Sequence, residues 1–307
     1  MADKIDEREG LAEYSGFTGL RNTVEPEAME MSDLVTALNV DVDDGLQLKR
    51  RFGSSAPVTT GIDRSLWASG AVCLGVGSDA LKMMSPAYGL VTLRSGLAAG
   101  RDLTYAPVGD RVFYSNGVEN GCIQNGLNRT WGIVTPGRPV LSAASGTLLA
   151  GDYQVAVTYV RNDGQESGTG RAVAVALSGV GGISITSIPV STDPGVVYKR
   201  VYASPVGSKT LYYCGIVLNA TTTFTIAAIH TDADPLITQF LSPPPAGDFI
   251  GYFKSWMLGA KDERLYPSEA YGPELFDLRK AIPFTSRITM VAPLNNKADG
   301  CWIGTAD

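Results

Sequence analysis

"GDYQVAVTYVRNDGQES", residues 151–167, decides the fold class. Tyr153, Val155, Val157 and Tyr159 alternate with Gln154, Ala156 and Thr158, the period of two that a β-strand shows when one face is buried. Asn162-Asp163-Gly164 then supplies turn residues, so the chain reverses there. Working outward, "GGISITSIP" (181–189), "VYKRVYASP" (197–205), "TLYYCGIVL" (210–218) and "TTTFTIAA" (221–228) carry further short runs rich in Val, Ile, Thr and Tyr. About seven such strands at this spacing predict a β-sandwich over 137–245. Pro136-Gly137-Arg138-Pro139 opens the block and Pro243-Pro244-Pro245 closes it. All four tryptophans, Trp67, Trp131, Trp256 and Trp302, lie outside it.

The whole chain agrees with an all-β reading. It has 307 residues, 44% hydrophobic, with 35 Gly and 17 Pro and 18% charged residues, and helix-period stretches are nearly absent. A weak helical stretch is expected around Pro26–Thr36. The divisions are an N-terminal arm with a hairpin (1–53), the first part of a second body (54–136), the inserted sandwich (137–245) and the second part of that body (246–307).

In the arm, Leu38, Val40 and Val42 alternate with Asn39 and Asp41, Asp43-Asp44-Gly45 breaks the run, and Leu46 and Leu48 resume it. A three-residue loop with Gly45 in the left-handed position predicts that Val42 pairs with Leu46 and Val40 with Leu48. A two-stranded hairpin is marginal alone, so this one is expected to dock through Val40, Val42, Leu46, Leu48 and Arg50. A calcium loop fails on spacing, since counting back from Gly45 puts Val40 first and Arg51 twelfth where acidic ligands are needed.

The body contains a faint repeat. "GDRVFYSNG" (109–117) aligns with "DERLYPSEA" (262–270), Arg111 on Arg264. Removing the sandwich leaves a separation of about 44 residues, close to a β-propeller blade. Only three blades or slightly more fit in the residues available, and "DGCWIGTAD" (299–307) reads as the start of another strand pair. Open edges would then close within a longer polypeptide or against neighbouring subunits.

Composition restricts the chemistry. The formal charge of −6 disfavours a tight grip on phosphates, and Lys49-Arg50-Arg51 reads as a strand end or subunit contact. Cys73, Cys122, Cys214 and Cys301 lack C-x-x-C spacing, and with a single histidine neither zinc nor any other cofactor is expected. No signal-peptide core or membrane-length apolar run is present. A Ser-His-Asp triad would need His230, beside Asp232 and Asp234 in a turn, and no nucleophile elbow accompanies it. Glu269, Glu274 and Asp277 are the best carboxylates for glycoside hydrolysis, although surface solvation explains them better. "GVGSDA" (75–80) and "GVGG" (179–182) lack the Lys-Ser/Thr of a phosphate loop. Tyr202, Tyr212 and Tyr213 would serve an adhesin if they were exposed.

Phe17-x-Gly19-Leu20-x-Asn22-Thr23-Val24, Ala37-x-Asn39-Val40-Asp41-Val42-Asp43-Asp44-Gly45 and Lys49-Arg50-Arg51-x-Gly53 together resemble the opening of tailed-bacteriophage virion proteins, those of the tail nozzle or distal tail tube of short-tailed phages. "YPSEAYGPELFD" (266–277) and "FTSRITMVAPLNNKADGCWIGT" (284–305) resemble the propeller strands of these proteins, and "DPGVVYKRVYASP" (193–205) a domain often inserted in them. The resemblance implies an all-β partial propeller with an inserted immunoglobulin- or fibronectin-III-like sandwich. It also implies a non-enzymatic tail protein, made in the host cytoplasm and carried in the virion, that forms a homo-oligomeric ring, often of six. Its partners would be its own copies and other tail proteins such as an adaptor and tail fibres, with DNA met only in passage. The alternative is a tail-tip or adhesin-type protein whose sandwich binds host glycan or protein.

Overall fold

The computed structural model describes residues 61–70, 72–294 and 300–306, with short pieces of the first sixty at 5–6, 11–12, 16, 19–20, 28, 33–34, 38, 40–42 and 46–50. Two compact units result, Met1–Thr60 and Gly61–Asp307.

In the first unit, strands pair in twos. β1 (Ile5–Asp6) runs antiparallel to β2 (Leu11–Ala12), and β3 (Gly19–Leu20) runs parallel to β4 (Asp33–Leu34). Asp33 and Leu34 thus extend where the sequence suggested a helix. β5 (Val40–Val42) and β6 (Leu48–Arg50) form the expected hairpin, but in a shifted register: Val42 faces Leu48, Asp41 faces Lys49 and Val40 faces Arg50. The loop is five residues rather than three, and Leu46 (φ 58°) occupies a left-handed position, its carbonyl accepting from the Gly16 amide at 3.1 Å. A shift of two residues preserves the side-chain parity of a strand, so Val40, Val42 and Leu48 still share a face. The predicted Asp43–Gly45 turn and Arg51 lie outside the described residues.

The second unit is all-β and contains two kinds of layer. Three four-stranded antiparallel meanders follow in chain order. The first comprises β7 (Arg64–Ser69), β8 (Val72–Gly77), β9 (Ala80–Met84) and β10 (Leu90–Arg94). The second comprises β11 (Thr104–Val108), β12 (Arg111–Ser115), β13 (Asn120–Gln124) and β14 (Leu127–Arg129). The sandwich strands are β15 (Leu141–Leu148), β16 (Gly151–Arg161), β17 (Val173–Leu177), β18 (Gly181–Ile185), β19 (Val196–Ala203), β20 (Tyr212–Leu218) and β21 (Phe224–Ile226). The third meander comprises β22 (Phe249–Phe253), β23 (Trp256–Lys261), β24 (Arg264–Glu269) and β25 (Gly272–Phe276), with β26 (Ile282–Pro283) added beside β24. A hairpin of β27 (Ile288–Pro293) and β28 (Cys301–Thr305) comes last.

Turn chemistry sets these registers. Ser78-Asp79, Asn125-Gly126 and Lys254-Ser255 each place two successive residues at positive φ between paired strands, the backbone of a two-residue hairpin whose twist matches that of the strands. "GVGSDA" is therefore a hairpin turn rather than a phosphate loop. A Cβ on Gly77 would lie 1.8 Å from the Gly61 carbonyl oxygen, so this close approach of two backbones requires glycine.

Successive meanders stack face to face with a core between each pair. Leu74, Val76 and Leu81 of the first meet Leu103, Val112, Tyr114 and Ile123 of the second. Phe113 and Cys122 meet Ile250, Met257 and Phe276 of the third around Trp131. Leu258, Ala260 and Leu265 meet Ile288 and Ile303 of the last hairpin. The first strands lie in series, β7 beside β11, β11 beside β22 and β22 beside β27. They begin 40 residues apart at Arg64 and Thr104, and 39 apart at Phe249 and Ile288.

Four-stranded meanders therefore recur along the chain, but pairing Arg111 with Arg264 sets them one strand out of phase. Arg111 opens β12, the second strand of its sheet, whereas Arg264 opens β24, the third of its own. The acidic turns Gly109-Asp110 and Asp262-Glu263 open different strands of their sheets, so a single matched hairpin does not fix the phase.

The sandwich interrupts the link between the second and third meanders. Its sheets, ordered β15-β18-β21 and β17-β16-β19-β20, enclose Tyr153, Val155, Val157, Ile183, Ile185, Val201 and Ile226. The alternation of residues 153–157 is as expected on this face. The opposite face is not open, because Ala156 and Tyr202 pack against Leu211 and Leu236. None of these sheets closes into a barrel.

Candidate functional site

Where the sandwich meets the meanders, a carboxylate is surrounded by guanidinium groups. Glu274, in β25, is completely buried. Its Oε1 accepts from Arg111 Nη1 and Arg129 Nη2, each at 2.8 Å, and its Oε2 from Arg161 Nη1 at 2.8 Å and the Gly132 amide at 3.1 Å. Arg111 comes from β12, Arg129 from the end of β14 and Arg161 from the end of β16. One side chain therefore ties the second meander, the sandwich and the third meander together.

Other donors of the cluster are engaged as well, apart from the buried Arg129 Nε, which has no hydrogen-bond partner. Arg161, with a side chain 1% exposed, donates to Asp193 Oδ2 at 2.8 Å, to the Gly132 carbonyl at 3.1 Å and to Thr130 Oγ1 at 2.5 Å. Arg129 Nη1 donates to Asp163 at 2.5 Å. Three cations thus face three carboxylates, which keeps charge buried at a tolerable cost. Burial alone would push the Asp163 and Asp193 carboxyls up. Hydrogen bonds from Arg129 and from the Gln165 amide at Asp163, and from Arg161 and the Gly195 amide at Asp193, together with the attraction of the guanidinium charges, outweigh it and hold both below the usual range.

The backbone is shaped to admit this cluster. Gly132 sits at φ 79°, and a Cβ there would come within 2.8 Å of the Glu274 carbonyl oxygen. Trp131 Nε1 donates to the Pro273 carbonyl at 2.7 Å, while its ring packs on Phe113 and Phe276. Where the chain returns, Ser242 and Phe276 exchange backbone hydrogen bonds at 2.9 Å.

Chemically, Glu274 is a fastener. With both oxygens accepting charge-assisted bonds and no exposure, it has no room to take a substrate proton. This corrects its reading as a solvated surface carboxylate. Glu269 and Asp277 lie elsewhere: Glu269 pairs with Lys280 at 2.7 Å, and Asp277 makes a bidentate pair with Arg279 at 2.8 Å. His230, Asp232 and Asp234 are exposed and lie in or beside a turn. Tyr202 is buried, and its hydroxyl donates to Glu166 at 2.7 Å, so it is not free to form an exposed aromatic contact. Tyr212 and Tyr213 are half-buried. In the arm, Val40 and Val42 are half-buried, whereas Leu46, Leu48 and Arg50 are exposed.

Sequence reasoning missed Arg129 and Arg161, although one signal for Arg161 was present. It follows Tyr153, Val155, Val157 and Tyr159 at the same parity, and a cation at an inward position of a buried strand requires a counterion. Nothing local to β25 marks Glu274 as that partner.

Among the described residues, no group of three His, Cys, Asp or Glu side chains is placed to hold a metal. No helix among them is long and apolar enough to cross a membrane. A scan against protein-family models finds no match, and a search of curated proteins likewise finds none.

Proposed function

We propose that this chain is a non-enzymatic structural component of a bacteriophage tail, a nozzle or distal tail-tube protein that assembles into a ring around the DNA ejection conduit. The observation that carries this reading is the series of meanders stacked face to face through their first strands at a spacing of about 40 residues. That series supports reading the sheets as blades of a partial propeller, and the sandwich as an immunoglobulin- or fibronectin-III-like insertion between two of them. The arm and strand motifs that resemble tail proteins add the assembly role. The buried cluster agrees with a structural part, since its charges hold domains together.

Mass photometry of the purified chain, followed by electron microscopy of the assembled fraction, tests the proposal. Closed rings of uniform copy number are expected. A strictly monomeric protein at high concentration overturns the ring. The net charge of −6 adds a second expectation. A wall past which DNA slides must not hold each phosphate, so a gel shift across a salt series should give no appreciable retention of duplex DNA at physiological salt.

A further inference from the structure

The loop returning from the sandwich and the β24–β25 turn border a cleft of about 560 Å³. Two aromatic residues flank it in unusual backbone conformations. Tyr271, at the tip of the turn, has φ 58° and is 86% exposed. Phe240, between the cleft-lining Gln239 and Leu241, has φ 66° and is 47% exposed. Bulky side chains are disfavoured at left-handed positions, where glycine or asparagine fits. Burial does not explain these two rings, since both remain in contact with solvent. Ile237, on the same wall, is 84% exposed.

Polar groups line the cleft beside these side chains. Thr238 is buried, and its hydroxyl has no hydrogen-bond partner. Glu269 and Asp277 each carry a cationic partner, so the carboxylates add acceptors without leaving net charge. The Arg279 guanidinium lies 4.7 Å from the Phe240 ring centroid and holds that side of the cleft in place. Gln165 and Gln239 contribute amides that can both donate and accept.

We infer that this cleft is a binding site for a neutral oligosaccharide. A pyranose ring presents an apolar C–H face and a rim of hydroxyls, which suits an exposed tyrosine beside amides and charge-compensated carboxylates. An ionic ligand would find no unbalanced charge there. A purely apolar one would displace water from the Gln165 and Gln239 amides without replacing its hydrogen bonds. The inference does not depend on ring assembly.

Saturation-transfer NMR on the full chain, with maltopentaose and chitopentaose as separate probes, tests it. At least one probe should receive saturation. Tyr271→Gly suits the left-handed backbone, so it should melt no lower than the parent while binding at least about tenfold more weakly. Saturation of neither probe overturns the inference. So does undiminished binding by Tyr271→Gly, or capture of a peptide at this cleft with both saccharides excluded.

Discussion

Arg161 Nη1 and Glu274 Oε2 meet at 2.8 Å, from side chains 1% and 0% exposed and 113 positions apart in the chain. Neither group has water to fall back on. Their pairing therefore links the stability of the sandwich boundary to a strand in another sheet.

Glu274→Gln keeps the shape and removes the charge, leaving three guanidinium groups around a neutral amide. Breaking one side of a buried pair costs about 3–5 kcal/mol, and a loss in that range is expected from urea unfolding followed by tryptophan fluorescence. Trp131, packed on Phe276 two residues beyond Glu274, should report the change directly.

Acid should loosen the same junction. Asp163 and Asp193 are held below the ordinary carboxylate range in the folded chain, so the stability they contribute is fully present above their unfolded pKa of about 3.9. It is lost as the pH falls through their folded values. Denaturant midpoints should therefore decline below about pH 4, and Asp193→Asn should flatten that decline. An unchanged slope in the variant would detach Asp193 from the effect.

Two glycines in one loop should behave differently. A Cβ on Gly168 would stand 1.7 Å from the Leu241 carbonyl oxygen, whereas one on Gly170 meets nothing within 4 Å. Gly168→Ala should cost about 2 kcal/mol or more, because backbone must move to make room. Gly170→Ala should stay within about 0.5 kcal/mol of the parent. Thermal melts of the two variants side by side separate these outcomes.

In the arm, Val40→Asp should abolish assembly while leaving the melt of the 61–307 unit unchanged. Val40 is half-buried, so a carboxylate there disrupts the apolar face it shares with Val42 and Leu48. Particle counts by electron microscopy check this. Normal rings from the variant would rule out a docking role for the hairpin.

Much of this architecture was legible because strands advertise themselves locally. The alternation of Tyr153, Val155 and Val157 placed the core between the two sheets, whereas Tyr159 at the same parity packs instead on Ile133 and Val196. Hairpin phase was less legible. Whether Leu46 or Leu48 faces Val42 depends on loop length, and both choices keep the same side-chain parity. The ion cluster was least legible. Arg111 and Arg129 share one sheet, but Arg161 and Glu274 come from two others, and only the packing of those sheets brings the four together. The cleft beside Tyr271 likewise depends on a left-handed backbone angle that the tripeptide Ala270-Tyr271-Gly272 does not declare.

The inserted position of the sandwich also sets an order of events during synthesis. A ribosome adding about 5–20 residues per second makes Arg161 about 6–23 seconds before Glu274. In that interval the remaining sandwich strands, ending at Ile226, are made and its core can close. Arg129 can already meet Asp163, and Arg161 can meet Thr130, Gly132 and Asp193, so the second meander and the sandwich are joined before β25 appears. The arrival of Glu274 then adds the third meander to a joint already made, and nascent chains stalled before residue 274 should carry a folded sandwich held to the second meander.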